Sequence, residues 1–367
     1  MKQLKQFKFA ILLLSFAFAE TGWSQPIIQL PQKYKLREVN ATPQLKAELA
    51  NQRKLIVQQK LQFNVGFTSV SNKPLAQITG DKNEIPESEV LRIKNYLKTR
   101  KLSPYFPGIS KIKFKGCFAN NKTYDARSMG YVTPVKNQQC GNCWAYSAIG
   151  AYEASFKKIN GYTIDASEQY AENCVVGDCS GGLSYKIFEW MVDDNKNLER
   201  NSVSPDAGVN QPCPGGTPST NYYATDWGVV RGDGDISKIP TVNEIKAALC
   251  QYGPLSVSVL VNSTFQNYTN GVYMGTPSNY ANPSSNHAVV LVGWDDYKGA
   301  WLIKNSWGTN WGMDGFMWIK YNSSNIGRRA SWVIAKQYPK LKKMPVNTKV
   351  PLKKAEINQV PKRQIKD

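Results

Sequence analysis

The period of the apolar positions changes several times along this 367-residue chain. From Thr42 to Phe63 the apolar residues Leu45, Leu49, Ile56 and Phe63 can share one helical face, and Thr42-Pro43 suits a cap and first turn. Residues 63–79 have β-like character, and a second helix is expected over about 88–101, ended by the proline-bearing region 104–107. The clearest element is a helix from residue 143 to about 158. There Ala145, Ala148, Ile149, Tyr152 and Phe156 recur at intervals of three and four. Asn142 is placed to cap its start, and Lys157, Lys158 and Gly161 suit its end. After Asp226 the pattern turns to β runs at 255–261, 287–294, 300–304 and 315–321. Residues 117–339 therefore read as helical first and β-rich afterwards, an α+β arrangement long enough for one large core or two small lobes. Residues 340–367 alternate lysine with proline without periodicity, which predicts a disordered tail.

The N-terminus carries Lys2, Lys5 and Lys8, an apolar run over 9–18, and then Ala17-Phe18-Ala19. This is the layout of a signal peptide, residues 1–24, with cleavage after Ala19 or Ser24, and the run is too short to span a bilayer. No later stretch has the length and apolarity of a transmembrane segment. An exported product outside the reducing cytosol is expected, whether extracellular, periplasmic or lysosome-like. Residues 25–116 form a separate unit, whose place between signal peptide and main domain suggests a pro-segment. The net charge of +19 invites a nucleic-acid or membrane reading, but residues 117–339 carry 17 basic against 18 acidic side chains. The basicity lies in the flanks as solvated charge, and no nucleic-acid partner is expected.

The chain has one histidine, His287, in Ser285-Asn286-His287-Ala288-Val289. It has seven cysteines, two of them in Gln138-Gln139-Cys140-Gly141-Asn142-Cys143-Trp144. A cysteine nucleophile needs a base of near-neutral pKa, and only His287 can be that base. An odd cysteine count in an exported chain points to paired cysteines plus a free thiol. Two rival readings compete: a four-thiolate zinc site from Cys140, Cys143, Cys174 and Cys179, and a redox dithiol at Cys140-x-x-Cys143. The wide gap between Cys174 and Cys179 and an oxidising compartment speak against zinc. The polar run Lys136-Asn137-Gln138-Gln139 stands where a dithiol motif needs a buried strand.

Val132-Thr133-Pro134-Val135-Lys136-Asn137-Gln138 leading into Cys140-Gly141-Asn142-Cys143-Trp144-Ala145-Tyr146-Ser147 resembles the active-site segment of the papain/cathepsin family of cysteine peptidases. Ala166-Ser167-Glu168-Gln169, Cys179-Ser180-Gly181-Gly182, Asn286-His287-Ala288-Val289 and Lys304-Asn305-Ser306-Trp307-Gly308 follow in family order. The interval of 144 residues from Cys143 to His287 falls in the roughly 130–150 of that family. The resemblance implies a two-lobe papain-like fold with the active site in the cleft and no cofactor or metal. It implies a Cys143 nucleophile, a His287 base, an Asn305 carboxamide that orients the imidazole, and Trp307 as its shield. The oxyanion donors would be the Cys143 amide and Gln138, with Gln139 as the alternative, because the interval from Gln138 to Cys143 is one shorter than the family's.

By the same resemblance Gly181, Gly182, Leu183, Ser285 and Asn286 would bind substrate. Leu183, Ser184, Ser258, Ser285 and Ala335 would line a roomy, mostly apolar pocket for the residue second from the scissile bond. Cys140 would pair with Cys179 and Cys174 with Cys213, which leaves Cys117 and Cys250 to each other by elimination. Carboxydipeptidase relatives use additional histidines, so the single histidine implies an endopeptidase. Its expected partners are protein or peptide substrates and its own pro-segment as inhibitor, with the product a monomer. A non-catalytic peptide-binding relative and a surface binder driven by the basic flanks are the alternatives from other classes.

Overall fold

A computed structural model describes residues 29–99, 114 and 116–338 of the chain. The expected signal peptide and basic tail lie outside the described residues. The helices are α1 (Gln32–Glu38), α2 (Pro43–Gln58), α3 (Leu75–Ile78), α4 (Glu87–Thr99), α5 (Cys143–Asn160), α6 (Glu168–Cys174), α7 (Ser184–Asp193), α8 (Val242–Tyr252) and α9 (Ser263–Gln266). The strands are β1 (Phe63–Val65), β2 (Thr123–Asp125), β3 (Gly177–Asp178), β4 (Gly181–Gly182), β5 (Asn197–Leu198), β6 (Tyr222–Val229), β7 (Leu255–Val259), β8 (Tyr268–Tyr273), β9 (His287–Asp295), β10 (Ala300–Lys304), β11 (Phe316–Lys320) and β12 (Arg328–Ala335).

Local chemistry accounts for most of these boundaries. The Thr42 hydroxyl accepts the Leu45 amide and Pro43 opens α2, whose Leu45, Leu49 and Ile56 are buried. Phe63 does not continue that face. The helix ends at Gln58 and Phe63 begins β1, so the β character expected over 63–79 is confined to three residues followed by the short α3. Helix α5 starts at Cys143 as its pattern requires and stops at Gly161, which takes the left-handed conformation (φ 83°) that glycine adopts without steric cost. Asn142 does not cap it. Its side-chain amide turns inward to Glu172 Oε2 at 2.8 Å. Within the half expected to be mainly β, α8 is fixed by a reciprocal capping box between Thr241 and Glu244.

The main sheet runs β1-β8-β11-β10-β9-β7-β12-β6-β5, with β2 added on β9. Strand β9 is buried along its whole length, and α5 packs across it and β12. Ser147 Oγ of α5 donates to the Val289 carbonyl and meets Ser256 Oγ, both at 2.7 Å. These bonds clamp the helix that begins with Cys143 to the strand that begins with His287. Disulfides join Cys140–Cys179, Cys174–Cys213 and Cys117–Cys250, and Cys143 is the free thiol. No described helix is long and apolar enough to cross a membrane.

Residues 29–99 dock on this body rather than standing apart. Strand β1 extends the sheet at β8, and buried Tyr34 donates to the Gly312 carbonyl at 2.7 Å. Thr68 Oγ1 donates to Gln266 O (2.9 Å), and Gln266 Nε2 donates back to Val70 O (2.5 Å). On α4, Glu89 takes bonds from Arg92, Lys186 and Tyr185, and Tyr96 stacks on Trp227.

Candidate active site

Cys143, the first residue of α5, is fully buried. Backbone amides of Ala288, Gly80 and Trp144 near its sulfur favour the thiolate, yet burial and the nearby Asp81 charge push the thiol up to about 12. Ala288 follows His287, so the start of β9 reaches the thiol directly. His287 Nε2 lies 2.8 Å from Asn305 Oδ1, and the same oxygen accepts the Ser306 amide at 2.8 Å. An amide oxygen only accepts, so Nε2 carries the imidazole proton and Nδ1 keeps its lone pair. That Nδ1 is buried with no hydrogen-bond partner, the condition of a base awaiting a proton. The Trp307 ring covers the imidazole, centroids 4.7 Å apart, and keeps water from the His287–Asn305 bond. Desolvation lowers His287 to about 4, so thiol and imidazole are both neutral in this closed form.

Gln138 is buried between Cys140 and Ser306. Its Oε1 accepts the Ser306 hydroxyl (2.6 Å), and its Nε2 donates to Cys140 O (2.7 Å) and Ile78 O (3.2 Å). Gln139 points away, bonding the Asn137 carbonyl through an exposed amide, so Gln138 is the glutamine at the site. Trp307 Nε1 also donates to Ile78 O, at 3.1 Å. Ser167 caps α6, and Glu168 joins buried Glu153 around Lys136 at 2.9 and 3.0 Å, tying the loop before Gln138 to α5 and α6.

The N-terminal segment continues through the cleft. Gly182 N donates to Gly80 O (2.8 Å), Lys82 N to Gly182 O (3.1 Å) and Asp81 N to Asn286 O (3.0 Å), so Asp81 pairs with Gly182 as in a parallel sheet. Gly181 permits this approach because a Cβ there would lie 2.7 Å from the Gly80 carbonyl oxygen, while a Cβ on Gly182 would meet the Trp144 ring at 2.4 Å. Asn286 gives the cleft its carbonyl only, since its side chain bonds Val261. Leu183 is half-buried at the start of α7.

The pocket beside Gly182 is not the apolar one expected. Ser285 Oγ donates to Asp81 Oδ2 (2.6 Å) and accepts from Arg328 (2.8 Å). Arg329 pairs with the same carboxylate at 2.6 Å, and both guanidiniums are buried. Ala335 lies elsewhere. Its amide bonds Ser155 Oγ, twelve residues along α5 from Cys143 and so about 18 Å away at the rise of an α-helix. Asp81, Arg328 and Arg329 escaped the sequence analysis. The one available signal was a doublet of arginines, Gly327-Arg328-Arg329-Ala330, at the head of an otherwise apolar strand. Cys140, Cys179 and Glu172 approach one another closely enough to hold an ion, but the two sulfurs are joined in a disulfide.

The pattern of papain family cysteine proteases matches residues 120–336. The chain is 38% identical to cathepsin K of Mus musculus over 210 residues, 55% of this chain and 60% of that protein. It is 37% identical to cathepsin K of Gallus gallus over 206 residues, 54% and 58% of the two chains. It therefore spans less than two thirds of the length of these curated relatives. In fold it is similar to digestive procathepsin L 3 of the Tenebrio molitor larval midgut, with TM-score 0.61 and 20% identity over 82% of this chain and 97% of that one. Bromelain from Ananas comosus, solved with the E64 inhibitor, matches at 29% identity and TM-score 0.51 over 59% of this chain and all of that one. Fold, motif order and sequence agree: the chain belongs to the papain family of cysteine proteases.

Proposed function

We propose that this chain is an exported cysteine endopeptidase made as a zymogen, with residues 25–116 as its inhibitory pro-segment. The observation that carries the reading is the His287–Asn305 bond, which leaves Nδ1 buried and unpartnered, one residue before Ala288, whose amide lies near the one free thiol. Once the cleft opens, the Cys143 proton passes to His287 Nδ1, and the thiolate attacks the substrate carbonyl carbon. The Cys143 amide and Gln138 Nε2 receive the oxyanion. The imidazolium then gives its proton to the leaving amine as the intermediate collapses to a thioester. Water, deprotonated by the same His287, hydrolyses the thioester and frees the thiol. Asn305 holds the imidazole in the required tautomer throughout.

Residues 78–83 support the zymogen reading because they occupy the Gln138 amide, the Gly182 main chain and the approach to the thiol together. With His287 as the chain's one histidine, a histidine clamp for a substrate's terminal carboxylate is lacking, which favours internal cleavage. Export rests on the N-terminal lysines and apolar run.

Cys143→Ala and His287→Ala are expected to abolish hydrolysis of a blocked internal peptide. Asn305→Ala should keep the fold and lose activity by roughly tenfold to a thousandfold, since orientation costs less than a lost nucleophile or base. Turnover by matured Cys143→Ala at the wild-type rate would end the proposal.

A further inference from the structure

Successive side chains of a strand point to opposite faces. Arg328 and Arg329 open β12 yet both reach Ser285 and Asn83. Arg329 has φ 54°, uncommon for a side chain of its size, and the pairing of β12 with β7 slips between Arg328 and Ser331. This irregularity turns two consecutive guanidiniums to one side, as bulges beside functional sites do.

The surroundings of the pair are unusual. Arg329 bonds Asp81 Oδ2, Asn83 O and Ser285 Oγ, and Arg328 bonds Asn83 Oδ1, Asn83 O and Ser285 Oγ. Among the described residues, Asp81 is the one carboxylate paired with either cation. Both Nε atoms are buried with no partner. Every carbonyl and carboxylate that these guanidiniums bond thus comes from residues 81–83, and the Ser285 hydroxyl is all that the rest of the cleft supplies. Two buried like charges without an anion are costly, so displacing the segment leaves a seat that demands negative charge.

We propose that Arg328 and Arg329 form an anion-binding subsite of the open cleft. The peptidase would accordingly prefer substrates with aspartate or glutamate at the residue that pairs with Gly182, where Asp81 sits in the closed form. This rests on the peptidase reading above and narrows it to acidic peptides. The carboxylate replaces Asp81 on Arg329 and Ser285, while Gly182 and Asn286 hold the flanking main chain.

The test uses the full chain after maturation and blocked fluorogenic peptides that differ only in the residue second from the scissile bond. Aspartate and glutamate should exceed leucine in kcat/KM by about tenfold or more, because an apolar residue leaves the buried cations unpaired. Arg329→Gln should lower that ratio by about tenfold, and Arg328→Gln should lower it as well. A wild-type ratio at or below one, in enzyme whose Cys143 is still labelled by a thiol-directed epoxide, overturns the subsite and leaves the peptidase reading standing. Absence of both turnover and labelling overturns the two together. A second arm needs no variant protein: a synthetic peptide of residues 76–84 should protect Cys143 from the epoxide about tenfold better than its Asp81→Asn form. Equal protection by the two peptides overturns the subsite.

Discussion

Gly80 lies against the loop that precedes Cys143 so closely that an added Cβ would fall 1.6 Å from the Gly141 carbonyl oxygen. Its amide lies near the Cys143 sulfur and its carbonyl accepts the Gly182 amide, so one residue without a side chain closes the cleft from both directions. Gly80→Ala must push the segment outward, because neither backbone can yield as a side chain would. Overpacking of this kind costs about 1–3 kcal/mol, which raises the open fraction by about 5- to 160-fold. Alkylation of Cys143 in the unprocessed chain at pH 7 should accelerate by that factor. An unchanged rate would mean that Gly80 does not gate the thiol.

At the level of elements, α8 shows both what the sequence held and what was passed over. Thr241 and Glu244 stand three apart ahead of an apolar run, and their side chains close both halves of a capping box, Thr241 N to Glu244 Oε2 at 2.7 Å and Glu244 N to Thr241 Oγ1 at 3.2 Å. Thr241→Ala should lower unfolding stability by about 1 kcal/mol, read in urea, with kcat unchanged, since α8 packs on β7, β9 and β12 and carries none of the candidate site residues. A loss of kcat without a loss of stability would contradict that assignment. Cys143, His287 and Asn305 were legible because the motifs around them resemble those of the papain/cathepsin family and His287 is the one histidine, and they stand at the start of α5, at the start of β9 and just after β10. The Arg328–Arg329 pocket was not legible. Alternation along a strand predicts opposite directions for neighbours, and only the positive φ of Arg329 and the slipped register reverse it. The inward turn of Asn142 was hidden for a related reason, since Glu172 is distant in sequence and its carboxylate outcompetes the helix amides.

For the whole molecule, protonation links the closed cleft to folding. In the closed form the pair holds two protons, one on the thiol and one on Nε2. An open cleft with thiolate and imidazolium also holds two, both on the imidazolium, so opening takes up none through this pair. Acid acts on it through global unfolding, where each group regains its ordinary value. His287 rises from about 4 to 6.5 on unfolding, and the unfolded chain binds the extra proton between those values. Its contribution to stability is therefore full above pH 6.5 and is lost as pH falls to about 4, roughly 3 kcal/mol in all. Cys143 works in the opposite range, its contribution present below pH 9.0 and lost as pH rises towards 12. Buried Glu172, raised from 4.5 to about 7, opposes His287, stabilising the fold below pH 4.5 and losing that contribution as pH rises through 7. The histidine effect can be isolated in a Cys143→Ala chain, which cannot process itself. Urea unfolding at pH 7 and pH 4, with and without His287→Gln, should show a smaller fall in stability on acidification when the histidine is absent, by about 3 kcal/mol. Glu172 is common to both chains and cancels. Equal falls in the two chains would mean that the imidazole is not desolvated in the closed form.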